Sequence, residues 1–168
     1  MKKLLTILLT AILAFGLVAC GGNDNTDGGL VSGSADTFGQ NTIIEFRLAL
    51  NENKDADAIT LLTKMSESEL FGEMSLMPME LDPTFMPGLN GNTIEGYESA
   101  AMMSPMIGVI PFVTYAFQLS EGTDANAFAE NLKAIADPAW NICTSADEVL
   151  TYDEGNTVFF VMSPLSFE

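Results

Sequence analysis

Residues 111–136, PFVTYAFQLSEGTDANAFAENLKAIA, decide the fold class. Pro111 opens a β-rich run carrying Phe112, Val113, Tyr115 and Phe117, and Glu121-Gly122 breaks it after Leu119. Thr123 or Asp124 then caps a helix. Its Ala125, Phe128, Ala129, Leu132, Ile135 and Ala136 recur at i, i+3, i+4 and i+7, one apolar face of a 3.6-residue period, and Asp137-Pro138 ends it. On the upstream side residues 97–103 read as a strand, with a turn at Ser104-Pro105-Met106-Ile107-Gly108. Downstream, residues 148–152 and 157–162 flank Asp153-Glu154-Gly155-Asn156, a hairpin signal in which glycine supplies positive φ. The order strand, strand, helix, strand, strand predicts an α+β fold: a small, mostly antiparallel sheet with helices packed on one face.

Further upstream the pattern is mixed. Ile44, Phe46, Leu48 and Leu50 alternate with Glu45, Arg47 and Ala49, which favours a strand, with Ile43 and a helical alternative against it. Residues 55–65 read as a helix capped by Asp55, with Ala58, Ile59, Leu61, Leu62 and Met65 on one broad face. Pro78, Pro83 and Pro87 make residues 66–92 irregular, with short edge strands at most.

The N-terminus is a different object. Lys2 and Lys3 precede an apolar run over residues 4–18, shorter than the ~20 residues a membrane-spanning helix needs and suited to the core of a secretory signal. The run ends at Leu17-Val18-Ala19-Cys20, which resembles a bacterial lipobox. The resemblance implies cleavage after Ala19 and diacylglycerol on the Cys20 thiol, so that the mature protein is tethered to a membrane through lipid. Two acyl chains suffice for stable anchoring. The expected organisation is a lipoprotein signal peptide over 1–19, lipidated Cys20 and a glycine-rich tether over 20–40, and one α+β domain over 41–168. A calcium loop beginning at Asn23 fails, because Ser34 stands at the twelfth position where a bidentate Glu is needed.

The whole chain has 168 residues and a net charge of −17. Removing the first 19 of those 168, and Lys2 and Lys3 with them, leaves 149 residues at −19. Such an acidic surplus argues against nucleic acid, whose phosphates are bound by Lys and Arg. There is no histidine, which excludes histidine-based acid/base, triad and zinc-histidine chemistry. With Cys20 lipidated, Cys143 is left without a disulfide partner, and Arg47, Lys54, Lys64 and Lys133 are too few and scattered to activate it. It reads as a buried free thiol. No pair of the 23 acids is singled out for acid/base catalysis, so no catalytic residue and no cofactor is expected.

Methionine is the compositional outlier, with eight of ten between Met65 and Met106. Met74, Met77 and Met79 could bring three thioethers to Cu(I), but Pro78 splits the cluster and no histidine completes it. Gap-filling in the core, or an adaptable binding surface, fits better. Trp140 fits the space between helix and sheet, with ligand stacking as the alternative. A possible binding surface is therefore Met74, Met77, Met79 and Trp140.

Residues 97–163, through Ser104-Pro105-Met106-Ile107-Gly108, Glu121-Gly122-Thr123-Asp124 and Asp137-Pro138-Ala139-Trp140-Asn141-Ile142-Cys143, resemble a group of Gram-positive lipoproteins without an assigned activity. That resemblance implies fold and location, not mechanism. The expectation is a non-catalytic binding or scaffolding module on the extracytoplasmic face of the cell membrane. Its partners would be the membrane, through diacylglycerol, and another envelope protein. The alternative is a small-molecule or metal receptor.

Overall fold

Two strands that are apolar on both sides organise the molecule. The structure, a computed structural model, describes residues 33–72, 74–89 and 91–167. Its strands are Leu76–Glu80 (β1), Tyr97–Pro105 (β2), Val113–Leu119 (β3), Glu148–Glu154 (β4) and Thr157–Ser163 (β5). Its α-helices are Phe38–Glu52 (α1), Ala58–Ser66 (α2) and Ala125–Ile135 (α3), with a 3-10 turn at Glu69–Phe71. The strands form one antiparallel sheet in the order β1-β2-β3-β5-β4, so the α+β class and the antiparallel sheet are as expected. The expected signal, Ala19, Cys20 and the expected tether as far as residue 32 lie outside the described residues.

The helices do not share one face, which corrects the expected layering. On β5, Phe159 and Val161 face a core with α1 and α2, whereas Val158, Phe160 and Met162 face a second core with Phe128, Ala129 and Leu132 of α3. β3 divides likewise, Ala116 to the first core and Tyr115, Phe117 and Leu119 to the second. A strand apolar on both sides must be covered on both. α3 carries the chain back across the second face, so that β4 pairs outside β5 rather than beside β3.

The strand expected through Ile44–Leu50 is part of α1. Thr37 caps that helix, its Oγ1 accepting from Gln40 N at 3.2 Å, and Phe38, Thr42, Glu45, Phe46, Ala49 and Leu50 form the buried face. Helix formation starts inside the segment expected to be tether. The cap of α2 is Asp57, not Asp55: its Oδ1 accepts from Thr60 N at 2.9 Å, and these Thr60 bonds hold its carboxyl below the usual range. β1 is a five-residue edge strand that accommodates Pro78, as the proline spacing allowed.

The sheet has two distinguishable ends. At the proximal end residues 33–37 lead into α1, where Glu148 ties the helix to the sheet: its Oε1 accepts from Gly39 N (2.8 Å) and Ser163 Oγ (3.1 Å), and its Oε2 accepts from Thr37 Oγ1 (3.0 Å). A Cβ at Gly39 would lie 2.4 Å from Glu148 Oε1, which explains the glycine there. The distal end holds the β4–β5 turn, with Gly155 at φ +63°.

On β4, Tyr152 is half-buried beneath the Arg47 guanidinium, 5.2 Å from the ring centroid, and its hydroxyl donates to Glu154 Oε2. Burial first, then the bond and charge of Glu154, push this phenol up to about 12 from an ordinary value of 10.0, with Arg47 opposing. The fold favours the neutral phenol, so the stability this contributes is complete below pH 10 and is lost as pH rises towards 12. Absorbance titration of Tyr152→Phe should lack a phenolate step near pH 12 that the parent shows, and the parent's unfolding free energy should fall more steeply over that interval. Superimposable curves would refute the assignment.

Candidate functional site

Three loops meet at the proximal end: residues 82–91, which start beyond the far end of β1 and run over the sheet to reach it, 104–112 and 137–146. In the first, Asp82 Oδ1 accepts from Thr84 N (2.8 Å) and Thr84 Oγ1 (2.7 Å), closing a tight turn, and these bonds hold the Asp82 carboxyl below the usual range. Tyr115, fully buried on β3, donates its hydroxyl to Pro87 O at 2.7 Å and so fixes the height of this loop over the sheet. Burial pushes that phenol well above the ordinary tyrosine range, so it stays a neutral donor.

Gly88 joins the first loop to the third. Its carbonyl accepts from Asp137 N at 2.8 Å, its φ is +79°, and a Cβ on it would lie 2.0 Å from Met162 Cε and 3.3 Å from the Trp140 ring. The third loop follows the extended Ala136 that ends α3 and closes through Ala146 N to Pro138 O (2.9 Å). Thr144 Oγ1 donates to Val109 O at 3.2 Å, which joins the third loop to the second.

The loops enclose an open groove of about 650 Å³, walled by Phe85, Met86, Met106, Ile110, Trp140 and Ile142. The volume lies within the range of small-ligand sites, ~300–1,000 Å³. Thr84, Ser104 and Asn141, with the indole N–H of Trp140, supply its side-chain hydrogen-bonding groups, and no lining residue is charged. In a chain with a net charge of −17 that neutrality is a local property of the groove. Such a lining can desolvate and enclose an apolar body and orient it through a few neutral polar contacts; it supplies no ionisable group for acid/base work.

Of the residues expected to form a binding surface, Trp140 lies in the groove wall, half-buried against the second core. The methionine trio is not assembled. Met74 is buried in the first core, Met79 packs against the second on the opposite side of the sheet, and Met77 is exposed on edge strand β1. The methionines at the groove are Met86 and Met106, each adjacent to a proline in an uncharged stretch of sequence. Cys143 is exposed, not buried, because Trp140 takes the inward position of its loop and Ile142 and Cys143 turn outward.

A second, more polar depression of about 420 Å³ lies between α1 and α2, lined by Glu45, Glu52, Lys64, Glu67 and Glu69. Glu45 is buried there, and its Oε1 has no hydrogen-bond partner among the described residues. Lys64 is already paired with Glu67 at 3.3 Å. Among the described residues no three His, Cys, Asp or Glu side chains are placed to hold a metal ion, and no helix is long and apolar enough to cross a membrane. Neither the protein-family models nor the curated proteins nor the solved structures give a match to this chain.

Proposed function

We propose that this chain is a lipid-anchored, extracytoplasmic binding module of the cell envelope, non-catalytic, whose groove holds an uncharged ligand with an apolar body. The observation that carries the reading is the chemistry of the groove: aromatic and thioether walls, a few neutral polar groups and no charge, within a strongly acidic chain. The lipobox-like Leu17-Val18-Ala19-Cys20 supports the anchoring half, and the lack of histidine supports binding over catalysis. The separation of Met74 from Met79 by the sheet weighs against a three-thioether copper site.

Trp140 is the single tryptophan, so its emission reports on the groove directly. Titration of the full chain with Nile red, an uncharged apolar dye, should give saturable quenching of Trp140 and matching dye emission. Trp140→Ala should weaken the dye signal at least about tenfold, equivalent to ~1.4 kcal/mol. Non-saturable binding, or affinity indifferent to Trp140→Ala and Met106→Asp, would overturn the groove reading. Mass spectrometry of the mature N-terminus tests the anchor: the first residue should be Cys20 carrying acyl mass, and any other first residue overturns that half.

A further inference from the structure

We infer that the proximal end of the domain seats on a bilayer of zwitterionic phospholipid headgroups with no net charge, with Met106, Ile107, Val109 and Ile142 entering the boundary between headgroups and acyl chains. The inference rests on the lipid-anchored reading above and adds an orientation to it. These four side chains are 67%, 69%, 62% and 99% exposed. They form a single tip, because Thr144 Oγ1 ties the 137–146 loop to Val109 and Met106 N donates to Ser75 O at the base of β1. A turn closed by Val109 N to Ile107 O presents Ile107 and Val109 outward together. Exposed apolar clusters of this kind mark interaction surfaces rather than ordinary solvent-facing loops.

Charge identifies the partner. No Asp, Glu, Lys or Arg occurs between Glu98 and Glu121, between Asp137 and Asp147, or between Asp82 and Glu95, the segments that supply the three loops. The acids are concentrated elsewhere, with Glu52, Asp55, Glu121, Asp124, Asp153 and Glu154 at the distal end. A tip without Lys or Arg, bordered by Asp36, Asp137, Asp147 and Glu148, does not attract anionic lipid, whereas zwitterionic headgroups carry no net charge to repel it.

Chain connectivity identifies the position. Residues 33–37 enter α1 at this same end, where the Phe38 ring lies 5.4 Å from Phe112, behind the 104–112 loop. Twelve residues lie between Cys20 and Gly33, so even fully extended they hold Gly33 within ~45 Å of the lipid-bearing residue. A domain held that close to the lipid surface experiences a high effective concentration of it, so a few weakly inserting side chains suffice. Seating also turns the mouth of the groove towards the bilayer.

The exposed Cys143 thiol, next to Ile142, provides the probe site. The full chain, processed by its expression host and reconstituted in pure phosphatidylcholine vesicles, is labelled there with an uncharged, polarity-sensitive fluorophore. Vesicle flotation, thiol count and acrylamide quenching are then read for the parent, for Ile107→Asp/Val109→Asp and for Ile142→Ser. All three should float with one labelled thiol, and thermal melting should show both variants folded. The label should be at least about fivefold less accessible to acrylamide in the parent than in the double variant, with Ile142→Ser shifted the same way. Equal accessibility in all three, with flotation intact, overturns the seat and leaves the anchor standing. Protection found only in native membranes, not in pure lipid, overturns it in favour of a protein partner. Failure to float, with two thiols labelled, overturns the anchored reading and the seat with it.

Discussion

Phe46→Ala is expected to lower the unfolding free energy by about 3–5 kcal/mol. Phe46 is fully buried and stacks on Phe159 of β5 with centroids 4.2 Å apart and planes 14° from parallel. The pair is the contact through which α1 docks on the middle of the sheet. Truncation removes apolar surface and an aromatic pair and leaves a cavity between helix and strand. Against a typical total of ~5–15 kcal/mol the loss is a fifth or more, and it should lower the melting temperature by roughly 10 °C or more. Urea denaturation reads it as a lower midpoint at unchanged m-value. Two companion variants sharpen the test. In a strand Ile44, Phe46 and Leu48 would share one face and be about equally sensitive; in α1 Ile44 and Leu48, four residues apart, share a half-buried face roughly opposite the buried Phe46. Ile44→Ala and Leu48→Ala should each cost about 1 kcal/mol, well below Phe46→Ala. Three equal losses would refute the docking of α1 described above.

Gly88→Ala is expected to cost about 2–4 kcal/mol, through two separable effects. At φ +79° a side chain is strained, and the new Cβ would overlap Met162 Cε and press on the Trp140 ring. The methionine tip could rotate away in open space, but Met162 is fully buried in the second core. Gly91 is the natural control: its φ is +63°, it lines the same groove, and a Cβ there meets nothing within 4 Å. Gly91→Ala should therefore carry only the backbone strain, ~1–2 kcal/mol. The difference between the two variants measures how tightly the first and third loops close on each other. Gly88→Ala should also shift Trp140 emission and weaken dye binding, neither of which Gly91→Ala should do to the same degree. Identical losses at the two glycines would mean that the groove wall is soft.

Legibility varied along the chain for physical reasons. β3, α3 and the β4–β5 hairpin were readable because each carries a strong period and a punctuating residue: Gly122, the Asp124 cap, Gly155. α1 was misread because Ile43, Ile44, Phe46, Leu48 and Leu50 place apolar groups around much of its circumference, which mimics alternation. The signal that distinguishes it lies outside that stretch, in Thr37 and Gln40 at capping-box spacing. Coverage of both sheet faces was also present in the sequence: Val158-Phe159-Phe160-Val161-Met162 does not alternate, and a strand that does not alternate has no solvent side.

The groove was not legible as a whole. Phe85, Met106 and Ile142 are far apart in sequence and become neighbours only when β2 and β3 pair and α3 crosses the second face. Proximity in sequence misled in the opposite direction at Met74 and Met79, which end on opposite faces of the sheet. Trp140 was recognised because a lone aromatic after a helix-ending proline has few places to go. Cys143, three residues on, was not, because a short loop has an inside and an outside that residue type alone does not assign.

An open sheet has two unpaired margins, and here each carries its own safeguard against strand addition by another copy. β1 is short and carries Pro78, which has no N–H to offer a newcomer. β4 carries Glu148, Asp153 and Glu154, so two such margins brought together would oppose like charges across the junction. Wherever copies of the chain are crowded together, a blunted margin on each side keeps a five-stranded open sheet from zipping into larger assemblies.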